Sequence, residues 1–200
     1  MSSISSLVLA TRNAHKIAEL TAFLGTLPIT VRSLTDFSHV SAVEEDGMSF
    51  MENALKKARH VHRLTGIPAL ADDSGLEVFY LNGRPGIHSA RYAGHHATDA
   101  DNNRKLLLEM KGVSPRRRNA RFVAQLALVG PGYEEMTRGT CPGTLGESPV
   151  GRNGFGYDPL FIPLGSDRTY AELTAEEKNR ISHRSMAFAG MKKIIDQYTR

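Results

Sequence analysis

Two hundred residues, 40% of them apolar, are enough to bury a sizeable core in a single domain, residues 1–200, and a net charge of +4 biases the chain only mildly towards anionic partners. One cysteine, Cys141, excludes a disulfide framework and suits a reducing compartment. The opening MSSISSLVLA has no basic n-region or long apolar h-region, and no apolar run approaches the length of a membrane helix, so the expected location is cytoplasmic.

Leu7 to Ala10 reads as a short strand, followed by polar TRNAHK and a helix whose Ile17, Leu20 and Leu24 recur up to Gly25. Ile29 to Leu34 can form a second strand. After SAVEEDG, Ser49 and Glu52 have capping-box spacing and open a helix with Phe50, Ala54, Ala58, Val61 and Leu64 on one face, ending at Gly66-Ile67-Pro68. Pro68 to Asp73 is predicted as a buried strand, Leu76 to Leu81 as another, and Asn82-Gly83 as a hairpin-type turn before the loop GRPGIHSARYAG. Thr98 and Asp101 start a helix carrying Leu106, Leu107 and Met110, which closes at Gly112. Phe122 to Val129, apolar on both faces, is predicted as a central strand, and Pro131-Gly132 leads to an edge strand near Glu135 to Thr140. The glycine-rich GRNGFGYDP precedes a strand at Leu160 to Ile162. Thr174 and Glu177 give another capping box before a last helix with Met186, Ala189, Met191, Ile194, Ile195 and Tyr198. Strands interleaved with helices predict an α/β fold, a mixed sheet with helices on its faces.

The densest chemistry is ADDSGL, where Asp72 and Asp73 follow an apolar strand. Two carboxylates ~4 Å apart repel by about 4 kcal/mol at an effective dielectric of ~20, so a cation should lie nearby or one Asp should face water. Strand alternation puts Ala69, Ala71 and Asp73 on one face and Leu70 and Asp72 on the other, so only one Asp can enter a given pocket. That residue suits Mg²⁺, with Glu44 or Glu45 as a second carboxylate. The bland alternative is a strand-end Asp-Ser-Gly turn. TRNAHK, between strand and helix, can meet an anion with free backbone N–H groups and Lys16, or Asn13 can be a simple N-cap and Lys16 a solvated residue. Phe155 and Tyr157 in GRNGFGYDP can stack on a flat base or fill the core. Lys178, His183 and Arg184 fall near a helix end, where the Arg184 fork can donate to a carbonyl or phosphate.

Other signals carry less. Asp73-Ser74-Gly75 matches the short aspartic-protease signature, but a single copy among helices does not make a two-carboxylate dyad, and no G-x-S-x-G surrounds Ser74. P-loop and Rossmann fingerprints are absent. Arg116, Arg117, Arg118 and Arg121 lack an adjacent aromatic series and read as a solvated face rather than a nucleic-acid contact. His60, His62, His95 and His96 lack zinc spacing. Cys141, without a placed base, reads as structural.

In chain order, TRNAHK, EEDGMSFMENALKKA, ADDSGLEV, RPGIHSARYAG, GFGYDPLF and AELTAEEKNRISHR resemble the inosine/xanthosine triphosphate pyrophosphatase family over roughly Leu7 to Tyr198. The resemblance implies an elongated mixed β-sheet flanked by helices, with two lobes and a substrate cleft between them. It implies Mg²⁺-dependent hydrolysis of ITP, dITP and XTP to the monophosphate and pyrophosphate, cleansing the nucleotide pool. By the same resemblance Thr11, Asn13 and Lys16 hold the triphosphate, with Arg12 and His15 in the same substrate loop. Asp73 is the metal-binding carboxylate and proton acceptor, assisted by Glu44 or Glu45, and Ser74 touches substrate. Phe155 stacks on the purine, Gly156, Tyr157 and Asp158 shape its pocket, Lys178 contacts phosphate or base, and His183-Arg184 reads the 6-oxo group. A homodimer is implied, with no nucleic-acid or membrane partner. Arg12 stands where many members have Gly, and a positive φ there would cost about 1 to 2 kcal/mol.

Overall fold

The computed structural model describes residues 3–199. Strand β1 (Ser6–Leu9) leads through a polar loop into helix α1 (Ala14–Leu24), then strand β2 (Thr30–Ser33) and helix α2 (Phe50–Thr65). Strand β3 (Ala69–Val78), helix α3 (Asp99–Glu109), strands β4 (Asn119–Gly130), β5 (Tyr133–Leu145) and β6 (Phe161–Pro163), and helices α4 (Ala175–Ile181) and α5 (His183–Tyr198) follow. The strands form one mixed sheet in the order β2-β1-β3-β4-β5-β6. β1 runs parallel to both β2 and β3, whereas β5 and β6 are antiparallel. No helix among the described residues is long and apolar enough to cross a membrane.

The chain divides into two compact units whose boundaries fall inside β3, β4 and β5 and at the start of α5. The first comprises the segment ending at Asp73, Ala124–Gly139 and the segment beginning at Arg184. Here the alternation of β3 is realised. Leu70 joins a core with Leu7 and Leu9 of β1, Leu20 and Leu24 of α1, and Phe188 and Met191 of α5 on one sheet face. Ala69 and Ala71 join Val8, Ala54, Ala58 and Val61, so α2 covers the other. Full burial of each leucine contributes about 1.5–3 kcal/mol, which is why the 3.6-residue stripes dock where they do. Leu64, expected on the apolar stripe of α2, is instead 41% exposed in the last turn, and Met186 of α5 is also exposed.

The second unit, Ser74–Val123 with Thr140–His183, has its own core of Leu76, Val78, Leu106, Met110, Phe122, Leu145, Phe161 and Tyr170. Several expectations are corrected here. Pro68–Asp73 and Leu76–Leu81 are not two strands, because β3 runs unbroken to Val78 and Phe79–Leu81 is a 3₁₀ turn. Gly75 lies within the strand because the chain passes so close that a Cβ would meet Ser89 Oγ at 2.4 Å and the Gly86 carbonyl at 2.6 Å. Ser89 Oγ accepts from the Leu76 N–H at 2.9 Å and donates to the Gly86 carbonyl. The Asn82-Gly83 turn is present, with Asn82 at φ 54°. GRPGIHSARYAG is not all loop, since Gly86–Arg91 is 3₁₀ helix. β5 is longer than predicted and lies between β4 and β6 instead of at the sheet edge.

The Thr174 capping box opens α4, which stops at Ser182, an extended residue, before α5 begins separately. The arginine run is not a uniform solvated face. Arg118 is 4% exposed and donates to the carbonyls of Leu145, Met110 and Gly146 at 2.8, 3.0 and 2.7 Å. Nor does the cluster lack aromatics, because Arg117 packs over the Tyr80 ring and Arg121 over Phe79.

Candidate active site

Asp72 and Asp73 sit side by side in the middle of β3, both buried, and neither faces water. Their opposite directions bring each a different set of cations. On the α1/α5 face, Asp72 Oδ2 lies 2.8 Å from Lys16 Nζ and 3.2 Å from Arg184 Nε. Arg184 is itself buried and makes a second ion pair at 2.5 Å with Glu19 of α1. Burial alone would raise the Asp72 proton affinity, but Lys16 and Arg184 overcome it and hold the carboxyl far below the usual carboxylate range.

On the α2 face, Asp73 Oδ1 accepts from Lys57 Nζ at 2.8 Å and Oδ2 from Asn53 Nδ2 at 3.3 Å. Lys57 also reaches Glu45 at 3.4 Å and donates to the Asp72 carbonyl at 2.9 Å. Burial pushes the Asp73 carboxyl up, with Glu45 adding to the shift and Lys57 and Lys16 opposing it. Lys57 is raised despite its burial because Asp73 and Glu45 flank it. Lys16 and Arg184 thus meet Asp72 on one face, with Glu19 beyond Arg184, and Lys57 meets Asp73 and Glu45 on the other. On the α2 side Asp73 and Glu45 converge on one ammonium, that of Lys57.

The loop from Thr11 to Lys16 is placed by an N-cap. Asn13 Oδ1 accepts from the N–H groups of His15 and Lys16 at 3.0 and 3.2 Å, and Thr11 Oγ1 accepts from the Asn13 N–H. Those amides are thus engaged by Asn13, the bland alternative for that residue. Lys16 is not the solvated residue of the same alternative. Arg12 has no positive φ, so it carries no backbone strain, and its Nη2 donates to the Val40 carbonyl. His15 is exposed on the same turn. Glu44 is exposed as well, whereas Glu45 is half-buried against Lys57, which distinguishes the two candidates.

No three His, Cys, Asp or Glu side chains among the described residues form a group that could hold a metal ion. The donor chemistry nevertheless fits Mg²⁺. Asp73 and Glu45 are hard oxygen donors already bridged by one cation, the Lys57 ammonium, and Mg²⁺ ordinarily takes one or two carboxylates and completes its shell with water and phosphate.

Within the second unit, Asp158 Oδ2 organises the glycine-rich loop by accepting from the Phe155 N–H at 3.0 Å and from Lys178 Nζ at 2.6 Å. The same ammonium lies 4.9 Å from the centroid of the half-buried Phe155 ring. Asp99 and Asn103 of α3 hold Gly156 through its N–H and carbonyl. A cavity of about 530 Å³ beside this loop is walled in part by Phe155, Gly156, Asp99, Asn103 and Arg152. Tyr157 is buried with its hydroxyl donating to the Ser89 carbonyl, which makes it a core residue of the loop. His183 stacks on Phe122 at 4.7 Å, and Ser74 is half-buried in β3. The extended Ser182 lets the adjacent His183 and Arg184 reach different partners.

Lys57, Asn53 and Glu19 were not singled out from sequence. For the first two a signal exists, since Lys57 and Asn53 fall on or beside the apolar stripe of Phe50, Ala54, Ala58 and Val61. A charged side chain there must be paired to be buried.

Comparison with known proteins places these residues in context. The model of the Ham1 family matches residues 7–194. A dITP/XTP pyrophosphatase of Geobacter sulfurreducens is 50% identical over 190 residues, covering 94% of this chain and 96% of its own. One from Bacillus licheniformis is 44% identical over 195 residues, covering 97% and 100%. Among solved structures, a HAM1 protein from Coxiella burnetii superposes with a TM-score of 0.89 at 41% identity, covering 97% of this chain and 100% of that one.

Proposed function

The chain belongs to the Ham1 family, and from that premise we propose how its residues carry out the family's reaction. It is a nucleoside triphosphate pyrophosphatase that hydrolyses deaminated purine nucleoside triphosphates. The products of the proposed reaction are the nucleoside monophosphate and pyrophosphate, formed by attack of water at the α-phosphorus.

The observation that carries the residue assignment is the buried Asp73 carboxylate sharing the Lys57 ammonium with Glu45, its proton affinity raised by burial. A carboxylate so placed accepts a proton from water more readily than a solvated Asp. Asp73 is the proposed catalytic base, and with Glu45 it would hold Mg²⁺. A bound Mg²⁺ supplies electrostatic neutralisation of charge developing on the phosphate oxygens. Lys57 fixes Asp73 Oδ1 and Glu45 relative to each other, while Lys16 presents its ammonium, braced by Asp72, to a phosphate. Phosphoryl transfer needs chiefly such positioning and charge. Thr11, Arg12, Asn13 and His15 are assigned to the same phosphate loop, and Ser74 to substrate contact.

Phe155 is assigned to stacking on the purine, with Gly156 and Asp158 setting the loop and Lys178 donating to substrate. His183 and Arg184 are assigned to the 6-oxo oxygen. Glu19 and Asp72 already fix the guanidinium, so Arg184 loses little freedom on binding. A donor assigned to an oxo oxygen would be left unpaired against the amino group of adenine, which disfavours ATP.

Incubation with ITP, XTP, dITP, GTP and ATP plus Mg²⁺, read by phosphorus NMR, tests the reaction. Pyrophosphate from the first three, abolished by EDTA, is expected. Orthophosphate as the first product would overturn the cleavage position, and turnover in EDTA would overturn the metal requirement. A homodimer belongs to the same proposal and predicts twice the chain mass in sedimentation equilibrium.

A further inference from the structure

We propose that Asn53 is a positioning residue that sets the Glu44–Gly47 segment against Asp73, so that one buried carboxamide fixes where the second metal-holding carboxylate stands relative to the first. The proposal rests on the reading of Asp73 and Glu45 as the Mg²⁺ carboxylates.

Asn53 lies in the first turn of α2 and is fully buried. Its Oδ1 accepts from the Gly47 N–H at 2.8 Å, and its Nδ2 donates to Asp73 Oδ2 at 3.3 Å. Only a side chain with one acceptor and one donor head can do both, and the flipped amide would set two donors against each other at Gly47. An Asp would keep the Gly47 contact but face Asp73 with a like charge. A Leu of similar size would keep neither bond. Gly47 is equally constrained, because a Cβ there would stand 2.7 Å from Asn53 Oδ1 and 2.9 Å from Glu52 Cβ.

Four successive residues of the segment are tied to α2. Glu45 meets Lys57, Asp46 pairs with Lys56, the Gly47 N–H meets Asn53, and the Met48 N–H donates to Glu52. The Asp46 and Met48 ties are exposed, and solvent screens them. Two ties also reach Asp73, those of Lys57 and Asn53, one to each carboxylate oxygen and four residues apart on the helix. They differ in kind. Lys57 holds Glu45 and Asp73 by charge, and a divalent cation between the same carboxylates would compete with its ammonium for both. The Asn53 bridge is neutral and runs through a backbone N–H, so it keeps the segment in register when the charge between Glu45 and Asp73 changes hands.

The test uses the full chain and Mn²⁺ as the probe, titrated without nucleotide and followed by electron paramagnetic resonance. Thermal midpoint, kcat and KM for ITP are measured alongside. Asn53→Leu should weaken Mn²⁺ binding about tenfold, the effect expected of an outer partner of a metal ligand, and lower kcat while KM stays within about twofold. Gly47→Ala, which pushes the segment off Asn53 without removing the Asp73 contact, should weaken Mn²⁺ in the same direction. It serves as the independent arm if Asn53→Leu does not fold. A lowered midpoint with unchanged Mn²⁺ affinity and kcat in either folded variant would overturn the proposal and leave Asn53 a packing residue. Asp73→Asn separates the two levels. If it abolishes Mn²⁺ binding while Asn53→Leu does not alter it, the Asn53 role fails and the site reading stands. If it leaves Mn²⁺ binding intact, the site reading itself fails.

Discussion

Replacing Asp72 and Asp73 one at a time by Asn should cost unequal amounts of stability, although the residues are adjacent and both buried. Asp72 neutralises Lys16 and Arg184 at 2.8 and 3.2 Å, so Asp72→Asn leaves two buried cations short of their partner. Breaking a buried pair in this way costs about 3–5 kcal/mol. At about 2–4 °C per kcal/mol for a chain of this size, the melting midpoint should fall by roughly 6–20 °C. Asp73 is different because folding raises its proton affinity, so the folded protein bears a penalty for its charge at neutral pH. Asp73→Asn removes that penalty but also takes from the buried Lys57 ammonium its partner at 2.8 Å, so it should cost less stability than Asp72→Asn, while abolishing turnover. The pH dependence follows from the same signs. Asp72 is depressed from 3.8, so its stabilisation is present above that pH and is lost as the pH falls below it. The deficit of Asp72→Asn should therefore be full at pH 7 and shrink in acid. The penalty at Asp73 appears only as the pH rises above 3.8, so the relief from it in Asp73→Asn should disappear in acid. Urea unfolding in EDTA across pH 3–8 measures both. An Asp72→Asn loss below about 1 kcal/mol, or a larger loss for Asp73→Asn, would refute the charge assignment.

Gly75→Ala should destabilise by about 1–3 kcal/mol through the Ser89 and Gly86 clash, seen as a lower urea midpoint; an unchanged midpoint would mean that the 3₁₀ segment yields. Phe155→Ala should raise KM for ITP by roughly 5- to 150-fold, from a stacking contribution of about 1–3 kcal/mol, with a smaller change in kcat; equal KM values would remove the ring from the base site. Arg118→Met leaves the carbonyls of Met110, Leu145 and Gly146 without their shared donor and should cost at least about 2 kcal/mol by chemical denaturation, with KM for ITP unaltered.

The elements written in local pattern were the legible ones. The apolar stripe of α2 from Phe50 to Val61 and its cap, the Thr98 and Thr174 capping boxes, and the double-sided apolar run of β4 all appear where the sequence places them. Gly75 misled because a glycine after two aspartates has the form of a turn, and the reason it sits in a strand lies 11 to 14 residues away at Gly86 and Ser89. Asp73 and Lys16 stood out as candidates because the sequence put one at a predicted strand end and the other at a helix start, although β3 in fact runs on past Asp73. Lys57 and Asn53 did not, since the apolar residues of α2 drew the reading of that stripe. Glu19 sits beside Arg184 only because α1 and α5 cover the same face of the sheet, a pairing across 165 positions that no local pattern encodes.

Mounting both acidic groups halfway along a ten-residue ladder, and not on its terminal loop, has a cost and a benefit. Neither can travel to meet an incoming nucleotide, so adaptation during turnover falls to the longer arms of the lysines around them. In return, the distance between the Asp73 carboxylate and its attachment to the sheet does not drift, which suits the proton-accepting role proposed for it.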